Sequence, residues 1–323
     1  MERARSLSPA VADPLYHSPA SFSRTRFGGP VFRVVVDAGF SCPVRDGTLG
    51  TSGCLFCSIE GFRPPTSRPD LSLQEQVSRA LPRLWHRYPR AIGFLVYLQP
   101  YTHTHGPPER LAAVLEQAGA CRGALGVVIG TRPDALPDPI LEVLERGARR
   151  GFLQVELGVQ STHETTLESM RRRHTWEDSR RAIRALRERG VRVGAHVILG
   201  TPWEPVRRQI RGAQLLSDAG VDAVKLHHLQ VLRGSAMASP QAPEAWGLPG
   251  WRTYARIAAA FLERLAPTVV VERLLARAPD EMLLAPRWGV PPERVRREIL
   301  SVLRAQGSFQ GRRYRREGEP SDA

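Results

Sequence analysis

Three of the chain's four cysteines fall in one stretch, SCPVRDGTLGTSGCLFCS (41–58), where Cys42, Cys54 and Cys57 make the spacing C-x11-C-x2-C. Thiolates are soft ligands that suit iron–sulfur clusters and zinc. A [4Fe–4S] cluster held by protein alone takes four cysteines, and structural zinc takes four Cys or His ligands. Three thiolates without a fourth fit a cluster that keeps one iron open to a small molecule. The C-x2-C half lets two thiolates reach neighbouring irons from one turn. Gly47, Gly50 and Gly53 let the longer arm fold around a cluster without steric cost. On these residues alone two other readings stay open: a zinc site completed by a distant histidine, and unconnected thiols. Cys121 stands apart and reads as an idle thiol.

The composition bounds the setting of this chemistry. With 323 residues, 42 % of them hydrophobic, the chain suffices for one large α/β barrel or two ordinary domains. No run approaches the ~20 apolar residues of a membrane span, so no membrane association is expected. The opening MERARSLSPAVADPLYHSP has charge and proline but no apolar h-region, and does not read as a signal peptide. Four cysteines are too few for a disulfide framework; a cytoplasmic location, which keeps thiols reduced and metal-competent, is expected. The formal net charge of +14 suggests an anionic partner, RNA first. A GC-rich genome, which favours Arg, Ala, Gly and Pro, explains the same balance. Lys225 is the sole lysine, so it marks a place for a compact ammonium or a chance survivor.

The elements that must position these groups are legible as alternating patterns. Near-continuous apolar, β-branched runs at 31–36, 92–98, 125–129, 152–157, 191–199, 223–229 and 269–271 read as strands buried on both faces. Amphipathic stretches at 107–119, 138–151, 176–190 and 204–220 lie between them and end in glycine; 71–88 reads as a helix kinked at Pro82. Strand–helix alternation predicts a parallel sheet closed or curled by right-handed crossovers. The site then lies at the C-terminal ends of the strands, where the cysteine loop falls. Residues 1–28 read as an irregular N-terminal extension, 29–238 as the barrel, 239–312 as a C-terminal extension behind a Pro/Gly-rich linker (239–250), and 313–323 as a disordered tail.

Residues after each strand collect on that rim. The second strand is followed by Gln99, Tyr101, Thr102 and His103, and the third by Thr131 and Arg132. The fourth carries Glu156 and Gln160, the fifth His196, and the sixth Lys225, His227, His228 and Arg233. A buried Glu156 is costly unless paired; it reads as a site residue or as half of an ion pair with Arg132 across the barrel. His196 alone reads as readily as a hydrogen-bonded core histidine as a ligand. Alternation puts Lys225 and His227 on one face and His228 on the other, so one set is merely solvated in the bland reading.

Together these blocks resemble the radical S-adenosylmethionine superfamily. More narrowly they resemble its YhcC/YtqA-type family, a relative of the radical domain in the catalytic subunit of Elongator. The matching blocks are VDAGFSCPVRDGTLGTSGCLFC, YLQPYTHTHGPPE, GTRPD, VELGVQS, HVILGTPWE, VKLHHLQVLRGS and ERLLARAPDEMLLAPRWG, spanning roughly residues 30 to 312. The resemblance implies a partial (β/α)6 TIM-like barrel with a short N-terminal extension and a C-terminal helix-and-strand extension. It implies a [4Fe–4S] cluster on Cys42, Cys54 and Cys57, with S-adenosylmethionine chelating the fourth iron. One-electron cleavage of that nucleotide would give a 5′-deoxyadenosyl radical, which abstracts a substrate hydrogen. Phe56 would pack near the adenine, and Gln99 and Thr102 would contact the methionine amino group. Thr131 and Arg132 would hold the ribose or carboxylate, with Glu156 and Gln160 beside them and His196 near the adenosine. Tyr101, Lys225 and His228 remain as catalytic candidates, and His103 and Arg233 as substrate contacts, a set suited to a phosphate- or carboxylate-bearing substrate. The implied partners are a one-electron reductant of flavodoxin or ferredoxin type and tRNA, whose wobble uridine some family members and the Elongator relative modify.

The chain departs from that pattern twice. Trp203 replaces the Gly of a Pro-Gly-Glu turn, and Ala276–Arg277 stands where the family has Gly-Asp. Three functions follow as expectations: a radical enzyme acting on tRNA, one acting on a small metabolite or protein side chain, or a non-catalytic metal-bearing RNA-binding module. With one cysteine outside the loop, a second all-cysteine cluster in this chain is excluded. The Elongator acetyltransferase reaction is not expected, since no such domain follows the barrel.

Overall fold

The computed structural model describes residues 15–63, 67–238 and 246–315. In chain order it comprises α1 (Pro19–Phe27), β1 (Val31–Val36), α2 (Ile59–Phe62), α3 (Leu73–Arg87), β2 (Gly93–Leu98), α4 (Pro108–Gly119), β3 (Ala124–Thr131) and α5 (Asp138–Arg150). There follow β4 (Phe152–Gln160), α6 (Glu164–Ser169), α7 (Trp176–Glu188), β5 (Arg192–Leu199), α8 (Val206–Ala219), β6 (Ala223–His228) and β7 (Val231–Leu232). The last elements are a 3-10 turn (Ala236–Ala238), α9 (Trp251–Arg264), β8 (Val270–Arg273), β9 (Leu283–Ala285) and α10 (Pro292–Ala305).

Seven parallel strands, in the order β1-β2-β3-β4-β5-β6-β8, form a curled half-barrel. Every apolar run predicted as a strand lies in it. The sheet stays open because β1 and β8 are its two edges, yet the interior ties them: Arg33 on β1 reaches Glu272, next to the end of β8, at 2.7 Å. Alternation sorts the strand residues. Val34, Val36, Phe94, Val96, Leu98 and Ile129 join the main core with the helices. Arg33, Leu95, Tyr97, Glu156 and Lys225 belong to the other face, inside the curl. Helix starts follow from local chemistry, with capping boxes Ser72–Glu75 and Thr175–Asp178 on α3 and α7. β7 and β9 make a small antiparallel pair.

Three boundary expectations need correction. The stretch read as irregular contains α1, capped by Ser18 and stopped by left-handed Gly28 (φ 84°), a start and stop signal that outweighs its polar composition. The extension after 238 does more than pack on the barrel: it supplies β8 to the sheet and α9 to the main core. In the tail, Arg313 is tied by its amide to the Glu263 carbonyl at 2.7 Å. Residues 316–323, and 239–245 of the linker, lie outside the described residues; Trp246 donates its indole N–H to the Met237 carbonyl at 3.1 Å.

Candidate active site

The cysteine loop leaves β1 and folds on its own backbone. The amides of Arg45 and Asp46 donate to the Cys42 carbonyl (2.8 and 3.1 Å), Gly53 donates to Val44 (2.8 Å), and Cys57 closes a turn on Cys54 (3.1 Å). Gly53 is required there: its φ is +71°, and a Cβ would meet the Arg45 guanidinium at 2.8 Å. Each cysteine has a donor or cation beside it. Thr102 Oγ1 donates to Cys42 Sγ at 3.4 Å, Arg172 Nη1 donates to Cys54 Sγ at 3.0 Å, and Arg45 Nη2 donates to the Cys57 carbonyl at 3.0 Å. Burial, then the neighbouring Cys54, pushes the Cys57 thiol up, and Arg45 opposes this.

All three cysteines line one cavity. Among the described residues no three His, Cys, Asp or Glu side chains converge as a single metal ion would need. Three thiols around a shared space match the wider span of a cluster better than a mononuclear zinc.

The same cavity gathers most of the predicted site. Phe56, Gln99, Tyr101 and Thr102 line it from the β1 and β2 loops, and Thr131, Arg132, Glu156 and Gln160 from β3 and β4. His196, Lys225 and His228 complete it from β5 and β6. Tyr101 (φ 73°) and Gln160 (φ 69°) adopt the left-handed region, rare for such side chains and concentrated at functional sites. Thr131 shares its hydroxyl with Thr104 at 2.5 Å. Arg132 donates to Asp134 through Nε (2.9 Å) and Nη2 (2.7 Å), and Nη2 also reaches the Arg172 carbonyl (2.7 Å). Its buried Nη1 has no partner among the described residues, and such an orphan donor calls for an acceptor from a ligand.

Glu156 does not pair with Arg132. It accepts from Arg33 Nη1 and Lys225 Nζ (2.5 Å each), His196 Nε2 (2.8 Å) and Gln154 Nε2 (3.1 Å). Arg132 is instead taken by Asp134, two residues on in its own loop. Burial alone would raise the Glu156 carboxyl; Arg33, Lys225 and His196 override it and hold it well below the usual range. Burial, with Arg33 second, pulls the Lys225 ammonium down to about 8. His196 is lowered chiefly by burial, and its ring stacks on His227 at 5.2 Å.

His228 borders the cavity but also belongs to the aromatic packing, stacked on Trp288 at 4.2 Å and edge-on to Tyr254 at 5.5 Å. Two predicted substrate contacts are not brought to the site. His103 is fully buried against Phe40 and accepts the Ala38 amide at 3.4 Å. Arg233 is exposed in the turn after β7, with Nε near the Glu281 carbonyl at 3.4 Å. Neither lines the cavity.

The structure adds residues that sequence reasoning passed over. Arg45 and Arg172 stand beside cysteines; Tyr97 and Arg273 line the cavity, as does Arg277, noted above only as a departure from the family pattern; Arg33 and Glu272 anchor its floor. Arg172 had a signal, the triple arginine of MRRRHT (170–175), and Arg273 and Arg277 lie in ERLLARAPDE. At the unusual fifth-strand turn, the left-handed position is Gly200 (φ 76°), and Trp203 packs edge-on against Trp246 at 5.9 Å. The turn therefore needs no glycine at 203.

Comparison with known proteins agrees with this geometry. The family model described as Radical SAM superfamily matches residues 48–211, and the Radical_SAM C-terminal domain matches 221–305. The chain is 32 % identical to YtqA of Bacillus subtilis over 306 residues, 95 % of each chain. A 117-residue stretch is 32 % identical to tRNA uridine(34) acetyltransferase of Methanocaldococcus jannaschii, covering 35 % of this chain and 21 % of that protein. The structure of N-terminally truncated Elp3 from Methanocaldococcus infernus superposes with a TM-score of 0.65 at 15 % identity, over 87 % of this chain and 64 % of that one. This last likeness speaks for the fold alone.

Proposed function

This chain belongs to the radical S-adenosylmethionine superfamily, and from that premise we propose that it abstracts a hydrogen from the side chain of the wobble uridine in tRNA. It is a radical enzyme whose cofactors are a [4Fe–4S] cluster and S-adenosylmethionine. When bound, they would supply one-electron cleavage of the sulfonium and with it a radical able to abstract hydrogen, the electron coming from an external reductant proposed to be of flavodoxin or ferredoxin type.

The chain's own part is to bind, orient and shield. Cys42, Cys54 and Cys57 would hold the cluster. The unpaired Arg132 Nη1 suits a carboxylate, which a guanidinium grips well. Gln99, Thr102 and Thr131 are proposed to share the amino-acid end of the cofactor, and Phe56, Gln160 and His196 its nucleoside end, with ionised Glu156 fixing His196. Lys225 is the proposed proton-holding group beside the substrate, with Tyr101 and His228 as flanking walls.

The substrate reading rests on a cationic wall. Lys225, Arg273 and Arg277 line the cavity, and the guanidinium groups of the two arginines have no hydrogen-bond or ion-pair partner among the described residues. They replace His103 and Arg233 as the proposed contacts to an anionic substrate. The net charge of +14 and the partial likeness to a tRNA uridine(34) enzyme support tRNA as its source. No helix among the described residues is long and apolar enough to cross a membrane.

The observation that carries this proposal is the convergence of three thiols, an orphan guanidinium N–H and that wall on one cavity. Its test compares nucleosides of bulk tRNA from cells with and without the gene. A changed wobble-uridine profile is expected. An unchanged profile removes the tRNA reading and favours a small anionic metabolite or protein side chain.

A further inference from the structure

We propose that Arg172 sets the reduction potential of the cluster through Cys54. The proposal rests on the reading of Cys54 as a cluster ligand, so the Cys54 thiol stands here for an iron-bound thiolate.

Arg172 is only 5 % exposed, yet none of its partners among the described residues is a carboxylate. Its Nη2 donates to the Gly158 carbonyl at 2.6 Å, its Nε to His174 Nε2 at 3.2 Å, and its Nη1 to Cys54 Sγ at 3.0 Å. A buried cation is costly unless an anion meets it. The sulfur is the one contact of the three that becomes anionic.

The backbone is bent to deliver this contact. Arg171 (φ 54°) and Arg173 (φ 58°) are both left-handed and exposed, while Arg172 between them turns inward. Such conformations are strained and persist where surrounding structure enforces them. The Arg172 carbonyl is held by Arg132 Nη2 at 2.7 Å, and the Met170 carbonyl accepts the Leu55 amide at 3.0 Å. The segment and the cysteine loop are therefore fastened together.

Reduction adds one electron, supplied from outside, to the cluster. Hydrogen bonds to the sulfurs, local charge and solvent exposure set the potential of such centres. A buried guanidinium on a ligating sulfur stabilises the reduced state. Arg45 is the internal contrast: it donates to the Cys57 carbonyl at 3.0 Å and its charge also acts on the Cys57 sulfur, but it is half-exposed, so water screens it.

The test is an anaerobic, mediator-coupled EPR titration of the reconstituted full chain without S-adenosylmethionine, with iron counted in each sample. The proteins are wild type, R172M, R172Q and R45Q. For R172M carrying a full cluster, the ratio of reduced to oxidised cluster at a fixed potential should fall about tenfold, ~59 mV for one electron. R45Q should move it less. If R172M does not take up iron, R172Q must show the downward shift. A fully loaded R172M or R172Q at the wild-type potential overturns the proposal and leaves the ligand assignment standing. Wild type that takes up no cluster overturns both.

Discussion

The two ends of the cavity handle charge in opposite ways. At the floor, Glu156 and Glu272 meet Arg33 and Lys225, so buried charges of both signs cancel within the chain. At the cysteine end, Arg172 is buried with no carboxylate partner among the described residues, and among them Arg132 leaves a buried N–H unused. A self-cancelling network finishes a barrel floor; uncancelled cations leave a place for negative charge that arises only when a ligand binds. The proposed cluster would turn Cys54 into a ligating thiolate beside Arg172, and the nucleotide would bring a carboxylate to Arg132.

That contrast can be broken most severely at the cysteine end. Cys54→Ala should abolish both iron retention and release of 5′-deoxyadenosine under dithionite, read by iron analysis and chromatography. A variant that still released the nucleoside would show the ligand assignment to be wrong. At the floor, Glu156→Gln should destabilise the fold by about 3–5 kcal/mol, because buried Lys225 and half-buried Arg33 lose a shared partner. Urea denaturation measures it, and a loss below ~1 kcal/mol would mean that the floor does not depend on this carboxylate.

Smaller effects sharpen the comparison at the open wall. The double variant Arg273→Gln/Arg277→Gln should weaken tRNA binding and lower the slope of log affinity against log salt by about one per lost phosphate contact. An unchanged slope would remove these residues from the interface. The mildest effect is expected from pH. Lys225 holds its proton below about 8 and loses it above, so affinity for an anionic substrate should fall by a few-fold from pH 7 to 9. Of the groups facing it, and against burial in each case, Arg33 is pushed up by Glu156 and Glu156 is held down by Arg33, so both keep their charge through that range. Lys225→Met should flatten the profile; the same fall in that variant would assign it to another group.

The sequence revealed what periodicity and ligand chemistry encode. β-branched runs located the strands, and three cysteines without a fourth marked the loop. Partners across the barrel were not legible: Arg33 reaches Glu156 over 123 residues of chain, and alternation gives a face but no partner. Arg172 was missed because its inward turn depends on left-handed arginines, which local rules assign to Gly, Asn or Asp. His103 was misplaced because a position in the loop after β2 does not say which way a side chain points; the chain turns at left-handed Tyr101 and the ring packs against Phe40. The resemblance supplied Arg132 and Gln160, whose cavity positions the strand order then brought together.

The most direct test uses EPR on the anaerobically reconstituted full chain, reduced with dithionite, before and after S-adenosylmethionine is added. A reduced-cluster signal that shifts when the nucleotide binds is the predicted result. A signal that stays unmoved, or protein that holds a single zinc and no iron, would contradict an open-cornered cluster on Cys42, Cys54 and Cys57.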